Sequence, residues 1–203
     1  MTEADWKVGV AGEMGLTPVR EPSLDDFVLL LLYLDGRTPI YGEEIIHFIL
    51  AIYPFVSLRL SPSLYLPYFE AVSEALRRLE ERGFIFRSRQ AYRDGERRVV
   101  RLTETGSDEA RKIFKAFSES WLLMRGVALR RGSEVLGELE ALKKTYNGKG
   151  LVELARLLAS KVEGDGASAL NHLEGVSKEW VEYFVYLLKR LSKELKPTSR
   201  QVF

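Results

Sequence analysis

The sequence predicts an α+β fold, mostly α, from three observations. Apolar residues recur at helical spacing through most of the chain, whereas Phe84 to Tyr92 and Arg97 to Thr103 are rich in aromatic and β-branched residues. Asp94-Gly95 between those two stretches is a strong hairpin signal. At 203 residues, 46% hydrophobic and 11% aromatic, the chain can build one large packed domain or two small ones.

Residues 1–22 hold Gly9, Gly12, Gly15, Pro18 and Pro22 with little periodicity, which predicts a flexible arm with a short strand at Trp6 to Val10. Ser23 then caps a helix whose first turn carries Asp25 and Asp26; Phe27 to Leu34 is its buried body and Asp35-Gly36 its stop. Pro39 to Gly42 turns into a second helix, Glu43 to Tyr53, closed by Pro54. Phe55 to Leu66 is a long connection.

A third helix is expected from about Pro67. Phe69, Val72, Leu76 and Leu79 make its apolar stripe, and Gly83 stands at the C-terminal cap position. After the hairpin, Thr105 to Glu109 opens a long helix with Ala110, Ile113, Phe114, Phe117, Trp121 and Met124 on one side, up to Gly126. Three more helical segments follow, Ser133 to Tyr146, Leu151 to Val162 and Ser177 to Leu195. The expected division is an arm at 1–22, a first domain at 23–106 and an all-helical region at 107–203.

Charge is distributed unevenly. Between Arg77 and Arg101 nine arginines face four acids, a balance of +5, while the whole chain carries +1. A local anion-binding surface fits this better than a generally basic protein. Cysteine is absent, which excludes disulfides, thiol nucleophiles and cysteine-based metal sites. His47 and His172 stand alone without a companion motif, and His47 among Ile45, Ile46, Phe48 and Ile49 reads as a partly buried structural residue.

Asn147-Gly148-Lys149-Gly150 lacks the spacing of a phosphate loop and reads as a helix cap and turn. These absences predict no enzyme, no metal and no cofactor. The longest apolar run, Phe27 to Leu34, falls far short of the roughly 18 residues that span a bilayer. The N-terminus lacks the basic region and apolar core of a secretory signal, so a cytoplasmic location is expected. Two Asn and two Gln beside abundant Arg and Glu suggest a thermophilic source.

Three helices, a two-stranded hairpin with a charged tip and a further helix is the order of a winged helix-turn-helix. Pro39 to Ile45 resembles the turn entering the second helix of PadR-type regulators. Ala75 to Ile85 is similar to the third-helix ending shared by PadR and MarR families, and Arg98 to Gly106 resembles their final strand and the helix start behind it. The resemblance spans roughly residues 24–125. It implies a dimeric, DNA-binding transcriptional regulator whose helices beyond the wing dimerise.

Duplex DNA presents dense phosphate charge, so arginines on a protruding hairpin gain affinity by counterion release, and one at the tip can enter a narrow minor groove. Arg93, Arg97 and Arg98 flank the tip, and Tyr68, Ser73, Arg77 and Arg78 are the candidates on the third helix for the major groove. Glu70 and Glu74 on that helix would repel phosphate, although glutamate can accept from a cytosine amine.

Arg77 with Glu81 and Glu74 with Arg78 are i,i+4 pairs that a solvated helix face also explains, and Arg87 and Arg89 on a strand face could pair with internal acids. The expected partners are double-stranded DNA and a second copy joined through the C-terminal helices. The alternative is a winged-helix protein-interaction module in a larger assembly, without direct DNA binding.

Overall fold

A computed structural model describes residues 3–16, 18–61, 66–92 and 95–165, with 173, 174, 179, 182, 183, 186, 187 and 190 beyond them. Its centre is α2 (Leu24–Arg37), whose residues Phe27 to Leu32 and Leu34 are all buried. A capping box starts this helix. The Asp26 N–H donates to Ser23 Oγ (3.1 Å) and the Ser23 N–H returns to Asp26 Oδ2 (2.9 Å). Asp35, Gly36 and Arg37 adopt left-handed φ of 56°, 64° and 60°, so the helical path breaks at Leu34.

The chain continues through β2 (Ile40–Tyr41), α3 (Glu43–Ile52), α4 (Glu70–Glu81), β3 (Ile85–Tyr92) and β4 (Gly95–Leu102). The three strands form one sheet in the order β2-β4-β3. Register pairs Ile40 with Val100 and Ile85 with Leu102, so the apolar ends of the strands meet the core and their charged ends project. The hairpin is therefore as expected, although Arg93 and Asp94 at its turn lie outside the described residues. Pro67 does not begin α4. Tyr68 pairs as an isolated bridge with Ser61, and Phe69 is the helix N-cap.

Beyond the hairpin the expectation of an all-helical region is corrected. α5 (Glu104–Ser118) stops before Trp121, and Trp121–Met124 forms β5, paired antiparallel with β6 (Ala128–Arg131) across an Arg125-Gly126 turn. The apolar run Trp-Leu-Leu-Met is too short for periodicity to distinguish strand from helix, and its partners decide. One is β6. The other is β1 (Val19–Arg20), parallel to β5 and a hundred residues earlier in sequence.

The arm is corrected with it. Glu3–Glu13 is a helix, α1, where a strand at Trp6 to Val10 was expected, and β1 ties this end of the chain to the second sheet. α6 (Gly132–Tyr146) and α7 (Leu151–Asp165) agree with the sequence reading. Of the last expected helix, the described residues 179, 182, 183, 186, 187 and 190 are helical; Trp180 and Phe184 lie outside them, as does His172. Among the described residues no helix is long and apolar enough to cross a membrane.

α6 joins the two halves. Its Lys143 is fully buried, and Nζ donates to the carbonyls of Leu32 (3.2 Å), Leu34 (2.7 Å) and Thr38 (2.7 Å) around the broken end of α2. Burial pushes this amine down to about 8, with Asp35 and Glu140 opposing, so it keeps its proton at neutral pH. One turn on, the Asn147 amide donates to Pro39 O (2.8 Å) and accepts from the Tyr41 N–H (3.0 Å), as a neighbouring strand would. Lys143 and Asn147 together hold the corner from α2 into β2.

Candidate nucleic-acid interface

α3, α4 and the β3–β4 hairpin gather the residues of interest on one side. α4 buries Val72, Ala75, Leu76 and Leu79 against the core and exposes Glu70, Ala71, Glu74, Arg77, Arg78 and Glu81; Ser73 is half-buried. Arg77 bonds Glu81 at 2.7 Å with both side chains about 60% exposed, a surface pair of small energetic weight. Arg78 reaches across to Asp25 at the start of α2 (2.6 Å), and this bond is the main cause that raises its pKa. The outward face of α4 thus carries three glutamates against two arginines.

His47 sets the position of α4. It is buried on α3, and its Nδ1 accepts the N–H of Phe69, the N-cap residue that has no side-chain capping bond of its own. Tyr68 stacks on the imidazole at 4.9 Å while remaining 40% exposed, so it sits at the entrance of α4 rather than on its reading face. An accepting Nδ1 requires a neutral ring, and burial lowers its pKa to about 4.

That shift has a definite sign. The unfolded imidazole takes up a proton below about 6.5 and the folded one only near 4, so stability is complete above pH 6.5 and is lost as pH falls towards 4. The loss is expected to reach about 3 kcal/mol, with most of it visible between pH 6.5 and 4.5, before ordinary carboxylates titrate. Urea unfolding of the parent and of His47→Phe across that window checks this: the variant should show a flatter pH dependence.

The hairpin arginines separate by direction. Arg87 points inward and bridges Glu80 (Nε to Oε2, 2.9 Å) and Glu43 (3.2 Å), and its guanidinium holds the Glu80 carboxyl below the usual carboxylate range. Arg97 is turned to the other face. It donates to the carbonyls of Gly148 (3.0 Å), Lys149 (3.3 Å) and Tyr41 (3.4 Å) and lies over the Tyr92 ring, which fastens the hairpin to the α6–α7 turn.

Arg98 and Arg89 are cross-strand neighbours with more freedom. Arg98 is 59% exposed and meets Glu43 at 3.4 Å; Arg89 is 67% exposed and meets Glu96 at 3.6 Å. With Glu43, Glu80, Arg87 and Ser88 they line an open cleft of about 300 Å3 between the hairpin and the helix pair. Arg93 lies outside the described residues.

Sequence reading singled out Tyr68, Ser73, Arg77, Arg78, Arg93, Arg97 and Arg98. Of these, Arg77, Arg78 and Arg98 project from the α4 and hairpin surface, Tyr68 flanks it, and Ser73 and Arg97 turn partly away. Glu43 and Asp25, which organise the arginines, were not among them. The only available signal was their place in the first turns of α2 and α3, and helix capping accounts for acids there equally well. Among the described residues no group of three or more His, Asp or Glu is arranged to hold a metal. Compared with protein-family models, curated proteins and solved structures, the chain matches none.

Proposed function

We propose that this chain is a winged-helix module that binds duplex DNA chiefly through its hairpin, as a transcriptional regulator acting as a dimer. The observation that carries the reading is the succession α2-β2-α3-α4-β3-β4 with sheet order β2-β4-β3, the order of a winged helix-turn-helix, in which α4 and the hairpin flank one surface. Arg89 and Arg98 supply the phosphate contacts. Arg89 and Glu96 form a long, exposed pair that a phosphate can replace at small cost, and Glu43, the largely buried partner of Arg98, keeps Arg87 when Arg98 turns to phosphate. Association of two copies through the C-terminal helices is supported by Leu151 and Val152, each nearly half exposed at the start of α7.

Titration with a labelled duplex at several salt concentrations tests this. Log affinity should fall linearly with log salt, and replacing Arg89 and Arg98 together by alanine should flatten the slope by up to about 2. Arg97→Ala should leave that slope nearly unchanged, because its guanidinium is held by backbone carbonyls. Saturation at two chains per duplex supports the dimer. Absence of binding to mixed fragments at low salt overturns the DNA reading.

A second reading, a protein-docking module without DNA contact, is favoured by the charge of α4. Glu70, Glu74 and Glu81 on its exposed face suit a basic partner surface better than a phosphate backbone.

A further inference from the structure

A second cleft lies beside the start of α2, with none of the hairpin or α4 arginines in its lining. Its volume is about 270 Å3, close to the low end for small-molecule sites. Leu24 and Phe27 of α2, Phe55 of the α3–α4 connection and Leu123 and Met124 of β5 make its walls. Phe27 and Phe55 are each locked edge-on against Tyr53, at 6.2 and 5.5 Å, so this wall is preformed.

Two charged residues of opposite sign stand at the rim, Glu21 and Arg125. Glu21 is exposed and has no ion-pair partner among the described residues. Arg125 makes one long bond, to Pro54 O at 3.4 Å, which leaves most of its donors open. Its backbone is also unusual. Arg125 holds φ 53° in the β5–β6 turn, a left-handed conformation that costs an arginine energy and would cost glycine none. The tight β5–β6 turn requires this conformation, since Gly126 beside it also has positive φ, and an arginine at this turn position places a cation at the mouth of the cleft.

We infer that this cleft binds a small apolar zwitterion, an α-amino acid with a large aliphatic or aromatic side chain. The side chain enters between Phe27, Phe55 and Met124, the ammonium meets Glu21 and the carboxylate meets Arg125. Ala71, in the first turn of α4, also lines the cleft, so the ligand touches the helix whose outer face belongs to the proposed interface. Binding here does not depend on the DNA reading and is measured without DNA.

The full chain is titrated with L-leucine and L-phenylalanine, following the thermal midpoint and the methyl resonances of Leu123 and Met124. A rise in midpoint with shifts at both methyls is expected. Phenethylamine and 3-phenylpropionate, which each lack one charge, should bind at least about tenfold more weakly than phenylalanine. Glu21→Gln and Arg125→Gly should each cost at least about tenfold in affinity for the amino acids. Arg125→Gly should also melt no lower than the parent, because glycine relieves the strained turn, which separates lost binding from lost folding. No methyl shift with either amino acid, or unchanged affinity in both variants, overturns the inference.

Discussion

Alanine at Gly106 is expected to lower the thermal midpoint by about 6–12 °C, corresponding to about 3 kcal/mol. Gly106 lies in the first turn of α5, where its Cα rests on the backbone of Phe84; a Cβ there would stand 1.8 Å from the Phe84 carbonyl oxygen and 2.6 Å from its carbon. Backbone cannot swing aside as a flexible side chain could. The neighbouring bonds fix the approach, since Thr103 Oγ1 accepts from the Gly106 N–H (3.0 Å) and both Thr103 and Thr105 hydroxyls donate to Gly83 O (2.7 and 3.0 Å). α5 must therefore slide away from the hairpin base, and it packs on α2.

Differential scanning calorimetry checks this, with Gly137→Ala as its control. Gly137 lies within α6 with nothing inside 4 Å of its would-be Cβ, so alanine there should stabilise by about 0.5–1 kcal/mol. Equal losses at both glycines would show that close backbone contact is not what Gly106 provides.

Lys143→Met is expected to lose about 3–5 kcal/mol in urea unfolding, although methionine preserves most of the apolar stem. The loss comes from the carbonyls of Leu32, Leu34 and Thr38, which the buried ammonium satisfies together, the first two in bonds closed off from solvent. Lys144→Met, one residue on, removes only an exposed pair with Glu140 and should change little. A loss at position 143 no larger than at 144 would contradict the role assigned to that ammonium.

Both residues bear on how much of the fold was legible. The helices α2, α3 and α4 and the hairpin were readable because each carries its own signals: a capping serine at 23, apolar spacing, Gly83 and Asp94-Gly95. The start of the helix behind β4 was legible to within two residues, expected at Thr105 and capped by Thr103, although only the structure shows that Gly106 is a contact with Phe84. Lys143 carries no local mark, and the cap signal at Asn147 says nothing of its bonds to β2, since the groups both residues satisfy lie over a hundred residues earlier. The second sheet was hidden for the same reason, because β1 supplies two residues and no periodicity.

The candidate interface was legible as charge and illegible as pairing. A count of nine arginines says nothing of which acids meet them, and Asp25 and Glu43 arrive from other elements. Arg97 and Arg98 are adjacent in sequence and face opposite sides of a strand, the ordinary consequence of the pleat. One closes the hairpin onto the α6–α7 turn and the other faces the cleft.

The amide of Asn147 occupies the hydrogen-bonding positions along β2 that an incoming strand would need, while the opposite margin of that sheet, β3, has no further strand beside it among the described residues. A sheet with two open margins can polymerise, each copy adding to the last. With one margin plugged, a contact of β3 with the β3 of a second copy is two-fold and uses up the remaining edge of this sheet on both copies. Pairing of this sheet with its own copy therefore ends at a closed pair instead of adding copy after copy.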